Sequence, residues 1–75
     1  MIDESRILFV GLSTVVYTGR LESGFMFKKN DFIYVVMSSN ISNSESSANG
    51  SVTCWYHIVR LATLEEKTIY EVMQS

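Results

Sequence analysis

The run of residues 32–37 constrains the fold most, because it is apolar on both sides of a strand. Its sequence is Phe-Ile-Tyr-Val-Val-Met. Successive side chains of a strand point to opposite faces, so one face carries Phe32, Tyr34 and Val36 and the other carries Ile33, Val35 and Met37. A strand that is apolar on both faces must be covered on both. Any sheet that contains this run therefore needs two covering layers.

The run of residues 52–61 poses the same requirement. Alternation puts Cys54, Tyr56 and Ile58 on one face, and the opposite face carries Trp55, His57, Val59 and Leu61. Neither set is wholly polar. This second run is also rich in aromatic and β-branched residues, which are typical of strands.

Two further stretches predict strands and turns. Residues 6–20 read as two strands, or one bent strand, interrupted at Gly11 and Ser13. A turn is expected at residues 21–24, and residues 25–37 suit a β-hairpin whose tip carries Asn30 and Asp31. The short polar side chains of these two residues tolerate turn geometry.

Residues 38–51 differ in composition from the rest of the chain. They are rich in Ser and Asn, and Ile41 is their one large apolar residue. Such a segment cannot bury enough apolar surface to order itself, so we expect a flexible loop between two strands. The loop is either tolerated or an adaptable binding element.

A helix is expected at the C-terminus. Thr63-Leu64-Glu65-Glu66 fits a capping box, in which the Thr63 hydroxyl and the Glu66 carboxylate bond to each other's backbone N–H groups. The expected apolar stripe of this helix consists of Leu64, Ile69, Val72 and Met73.

These elements predict a mostly β, α+β fold in one domain over residues 1–75. It has four to five antiparallel strands, as a meander or an SH3-like half-barrel, and one short C-terminal helix. One helix covers only one face of such a sheet. The other face must be covered by barrel closure, by a second subunit or by a different protein, and the sequence favours a homo-oligomer or a partner-binding module.

Charge and cysteine content exclude several classes of protein. The 75 residues carry a formal net charge of −2, which provides no basic field for phosphate backbones. Cys54 is the only cysteine, so no intramolecular disulfide can form and a reducing, cytoplasmic location is expected. The apolar run at residues 7–12 is too short for a signal peptide or a membrane span.

No arrangement of residues predicts catalysis, a cofactor or a metal. Cys54 and His57 are three residues apart on a strand and so face opposite sides, which argues against a nucleophile–base pair. The carboxylates are scattered, and the glycines do not match a phosphate-binding spacing. The chain is expected not to be an enzyme.

The function expected from these observations is that of a small non-enzymatic interaction protein. It would self-associate and bind or inhibit another macromolecule, a profile common among accessory proteins of phages and other mobile elements. Aromatic residues carry much of the energy at protein contacts, so the candidate interface residues are Phe25, Phe27, Trp55 and Tyr56.

The alternative is a small barrel that binds single-stranded nucleic acid. Such barrels stack bases on aromatic side chains beside basic ones, and the candidates are Lys28, Lys29, Phe32 and Tyr34. The competing explanation is that these aromatic residues belong to the core and the lysines keep a hairpin soluble.

Overall fold

The computed structural model of the chain describes residues 2–43 and 53–74. Its elements, in chain order, are a 3-10 helix (Glu4–Arg6), β1 (Leu8–Phe9), β2 (Thr14–Tyr17), β3 (Met26–Lys29), β4 (Phe32–Asn43), β5 (Thr53–Leu61) and α1 (Leu64–Gln74). The five strands form one antiparallel sheet in the order β1-β2-β5-β4-β3. The mostly β, α+β prediction is confirmed, and the sheet is a curled half-barrel.

The inner face of the sheet carries the main core. Its buried apolar residues are Ile7, Val15, Leu21, Phe27, Val36 and Val59. The curl is visible at Tyr34 of β4, whose ring lies 5.0 Å from that of Phe9 and 5.5 Å from that of Phe27. Phe9 and Phe27 belong to β1 and β3, the two ends of the sheet order. The Phe9–Tyr34 contact therefore brings β1 over β4, across the two strands that separate them in the sheet.

The outer face is covered by α1, but only over β3 and β4. Ile33 and Val35 of β4 are buried there together with Ala62 and Tyr70, and Met26 of β3 packs against them. The run of residues 32–37 thus has buried residues on both faces, as its sequence pattern predicts, while Phe32 and Met37 at its ends are half exposed.

The β3–β4 hairpin turns at the residues that the sequence indicates. Asn30 and Asp31 both have positive φ, at 53° and 71°, and Lys29 pairs with Phe32 across the two-residue loop. Two consecutive positive φ angles are the mark of a type I′ turn, whose twist matches that of the strands. Lys28 and Lys29 belong to β3 rather than to the turn.

The predicted flexible loop at residues 38–51 is wrong for its first part. Residues 38–43 continue β4 and pair with β5 from Ile58 to Thr53. A bulge at Met37 shifts the register, and the ladder to β5 then satisfies backbone groups that a loop would leave to water. Residues 44–51 lie outside the described residues.

The start of α1 confirms the predicted capping box. The Glu66 N–H donates to the Thr63 hydroxyl at 3.2 Å, and the Thr63 N–H donates to the Glu66 carboxylate at 2.8 Å. Arg60 of β5 also holds this carboxylate through two hydrogen bonds of 2.8 and 2.9 Å.

The predicted apolar stripe of α1 does not pack on the sheet, because a different side of the helix faces it. Tyr70 is the buried residue of α1, and its ring fills the space over Ile33 and Val35. The Arg60–Glu66 contact fixes the rotation of the helix one turn earlier. The predicted stripe is exposed instead: Leu64 by 80%, Ile69 by 52%, Val72 by 67% and Met73 by 73%.

Candidate interaction surface

The outer face over β1, β2 and β5 carries an apolar surface that α1 does not cover. The strand register aligns Leu8, Val16 and Tyr56 in one row across the three strands. In the next row, Thr14 pairs with Ile58, and the Val10 N–H donates to the Thr14 carbonyl. We call the five apolar residues of these rows the open strand surface: Leu8, Val10, Val16, Tyr56 and Ile58.

Most of the open strand surface is accessible to solvent. Leu8 is 54% exposed, Val10 56%, Tyr56 42% and Ile58 40%, and Val16 is partly buried. None of these residues is charged, and the rows continue into the uncharged residues Ser38 and Asn40 of β4. A contact here would therefore desolvate apolar groups without removing a charge from water.

A second apolar surface lies on α1, on the same side of the sheet. It consists of the exposed residues of the helix, which we call the outer helix surface: Leu64, Ile69, Val72 and Met73. Because Tyr70 points toward the sheet, these residues lie on the lateral and solvent-facing sides of the helix. The two surfaces together expose large apolar side chains over neighbouring parts of one face.

The predicted interface residues have different environments. Tyr56 belongs to the open strand surface, where it lies next to Val16 at the β5 end of its row. Trp55 faces the inner side and is half-buried, with the Arg20 guanidinium 5.9 Å from its ring centre. Phe25 is half-buried against the core. Phe27 is completely buried, which corrects its prediction as an interface residue, because a core side chain cannot contact a partner in this fold.

The other residues of both surfaces are not predicted as contact residues from the sequence. Leu8, Val10 and Val16 resemble ordinary strand core in sequence, and only the strand register shows that they share the outer face with Tyr56. For α1 the sequence predicts the apolar stripe itself, but the stripe faces away from the sheet of its own chain.

The fold brings together some of the residues predicted to bind nucleic acid. Lys29 and Phe32 pair across β3 and β4 on the same face as Tyr34, and Phe32 is 53% exposed beside a cavity of about 430 Å³. Lys28 points to the opposite face. Tyr34 is stacked on Phe27 and meets the edge of Phe9, so its ring is already engaged in the core.

His57 is the buried polar side chain of the core. It is fully buried on the inner face, and its Nε2 accepts a hydrogen bond of 2.9 Å from the Leu21 N–H. Its Nδ1 lies near the Val15 backbone without a hydrogen bond of good geometry among the described residues. Burial lowers the pKa of His57, and the Val15 carbonyl opposes this shift.

Cys54 and His57 occupy opposite faces of β5. The register pairs His57 with Val15 on the inner face and places Cys54 in line with Tyr56 on the outer face. Across residues 2–43 and 53–74, no group of three or more His, Cys, Asp or Glu residues is placed to hold a metal ion. In the same ranges no helix has the length and apolar character needed to cross a membrane.

Comparison with known proteins does not assign the chain to a family. No protein-family model matches it, and no curated protein and no solved structure matches it either.

Proposed function

We propose that the chain is a non-enzymatic interaction protein that uses the outer face of its sheet to contact protein, either a second copy of itself or another macromolecule. The open strand surface supports this proposal most strongly. It presents five apolar residues from three adjacent strands, four of them exposed, and large contiguous apolar patches on a protein surface mark interaction sites.

The chemistry of this surface favours protein over nucleic acid. Binding to a phosphate backbone requires cations that replace condensed counterions, and none of the five residues is charged. Protein contacts instead have cores depleted of charge and enriched in aromatic residues, with Tyr among the preferred anchors. Tyr56, flanked by Val16 and Ile58, is the residue of this kind here.

A regulatory or inhibitory role on a larger protein, in a phage or another mobile element, stays a prediction. A cytoplasmic location also stays a prediction.

The proposal is tested by photo-crosslinking in cells that express the full chain. Tyr56 is replaced by the photo-reactive analogue benzoyl-phenylalanine, and irradiation should yield discrete protein adducts. Leu12 provides the matched control, because it is completely exposed but lies in the β1–β2 connection outside the open strand surface. Adducts from position 56 and none from position 12 support the proposal, whereas an absence of protein adducts at position 56 contradicts it.

Single-stranded nucleic acid binding is the second candidate, supported by the exposed ring of Phe32 beside Lys29. An electrophoretic shift with mixed single-stranded RNA and DNA at low and moderate salt tests it. If this function holds, a shift appears at micromolar protein, weakens with salt and is lost in Phe32→Ala. No shift by the wild-type chain removes the candidate.

A further inference from the structure

We propose that the occupant of the open strand surface is helix α1 of a second copy of this chain, so that two copies pack outer face to outer face. This inference rests on the proposed function and names the partner. It follows from the presence, on one side of the molecule, of two exposed apolar surfaces: a strip of sheet and one side of a helix.

The strip formed by β1, β2 and β5, which carries the open strand surface, is about as wide as a helix. β1, β2 and β5 are adjacent, and two spacings of about 4.8 Å between neighbouring strands give a strip about 10 Å wide. An α-helix with its side chains is about 10 Å in diameter. The outer face therefore has room for two helices side by side, one over β3 and β4 and one over β1, β2 and β5, and within residues 2–43 and 53–74 the chain supplies only the first.

In a dimer with twofold symmetry, the second helix is α1 of the other copy. When two outer faces meet, α1 of each copy lies beside the uncovered strip of the other, and both contacts form at once. The product is a three-layer arrangement of sheet, helix pair and sheet. In it α1 is covered on both sides, through Tyr70 on its own sheet and through the outer helix surface on the partner's sheet.

The apolar character of both surfaces favours the contact. The open strand surface contains no charge, so no charged side chain of the strands leaves water in the contact. In the dimer, the outer helix surface leaves water and packs on the open strand surface: Leu64, Ile69 and Met73 contact Leu8, Val16, Tyr56 and Ile58. Transfer of apolar surface out of water is favourable. Because each copy uses its helix and its strip together, the contact closes at two copies and leaves neither surface for a third.

The inference is tested by light scattering behind size exclusion on the full chain and three variants. Leu64→Glu places a carboxylate on the outer helix surface, and Ile58→Glu places one on the open strand surface. Both residues are exposed within one copy, so these variants should keep the circular dichroism spectrum of the wild type. Leu12→Glu makes the same chemical change as Leu64→Glu at an exposed site outside the contact.

We expect twice the chain mass of 8.5 kDa for the wild type and for Leu12→Glu, and 8.5 kDa for Leu64→Glu and Ile58→Glu. The dissociation constant of the dimer should rise more than tenfold in each of the two interface variants. A wild-type mass of 8.5 kDa up to millimolar concentration, or dimers that survive Leu64→Glu, overturn this inference. Protein adducts at position 56 in cells together with a monomeric chain would leave the proposed function standing with a different partner.

Discussion

The backbone N–H of Leu21 donates a hydrogen bond to Nε2 of His57 at 2.9 Å, and both groups are buried. Leu21 lies in the connection between β2 and β3, and His57 lies on β5, so the bond ties a turn to the central strand. Because Nε2 accepts, the neutral ring must carry its proton on Nδ1. Protonation of Nε2 would replace this acceptor with a second donor facing the Leu21 N–H.

The first prediction is that acid weakens the fold through His57. Burial lowers the pKa of His57 in the folded chain below the ordinary value of 6.5, so below that pH the unfolded chain binds the proton more readily. The contribution of His57 to the free energy of unfolding is complete above pH 6.5 and is lost as the pH falls toward the folded pKa. Urea unfolding between neutral pH and about pH 5 measures this loss.

His57→Gln is the matched control for this prediction. A glutamine oxygen can reach the position of Nε2 and accept from the Leu21 N–H, but it does not titrate. The variant should fold with a flatter pH profile than the wild type over the same range. An equally steep decline in His57→Gln would assign the pH dependence to other groups.

The second prediction concerns the carboxylate that links β5 to α1. The Arg60 guanidinium and the Thr63 N–H together lower the pKa of Glu66 from 4.5 to about 2. The stabilisation from this carboxylate is therefore present above pH 4.5 and is lost between pH 4.5 and about 2. Glu66→Gln should lower the melting temperature at neutral pH and flatten its decline in acid. Glu65→Gln removes an exposed carboxylate from the same helical turn and should leave that decline intact.

The third prediction separates the packing of Tyr70 from its hydroxyl. The hydroxyl donates to the Glu4 carboxylate at 2.8 Å, and burial followed by this neighbour raises the pKa of Tyr70 to about 12. Tyr70→Phe keeps the ring over Ile33 and Val35 and should cost about 1 kcal/mol. Tyr70→Ala removes the one buried side chain of α1 and should cost about 3 kcal/mol or more. Equal losses in chemical unfolding would show that α1 does not depend on this ring.

The fourth prediction concerns the turn between β3 and β4. Asp31 has φ of 71°, a conformation that glycine adopts freely and β-branched residues resist. Asp31→Gly creates the Asn-Gly pair preferred in type I′ turns and should leave the free energy of unfolding unchanged or slightly higher. Asp31→Val should lower it by about 1 to 2 kcal/mol. A valine variant as stable as the glycine variant would mean that the turn is not of this type.

Local signals in the sequence predicted the elements that local chemistry determines. The Asn30–Asp31 turn follows from residues that tolerate positive φ, and the Thr63–Glu66 cap follows from two side chains that satisfy each other's backbone groups. The two buried faces of β4 follow from alternation alone. Each of these features requires only a few consecutive residues.

Contacts between distant residues determine the features that the sequence did not predict. The Ser- and Asn-rich residues 38–43 form a strand because β5 offers a ladder partner, not because their composition favours one. The side of α1 that faces the sheet depends on Tyr70 packing with Ile33 and Val35 of β4, more than thirty residues earlier in the chain. The open strand surface exists only through the register of three strands, so Tyr56 was predicted as a contact residue and its neighbours were not.

The most direct test of the packing of α1 on the open strand surface is a mapped crosslink on purified protein. Unlabelled chain with benzoyl-phenylalanine at position 56 is mixed with ¹⁵N-labelled wild-type chain, irradiated and digested with trypsin. Cleavage after Arg60 and Lys67 divides α1 between peptides 61–67 and 68–75. We predict that the main adduct joins position 56 to one of these two peptides in labelled form. Adducts confined to peptides from β1, β2 or β5, or adducts to unlabelled peptides alone, would contradict it.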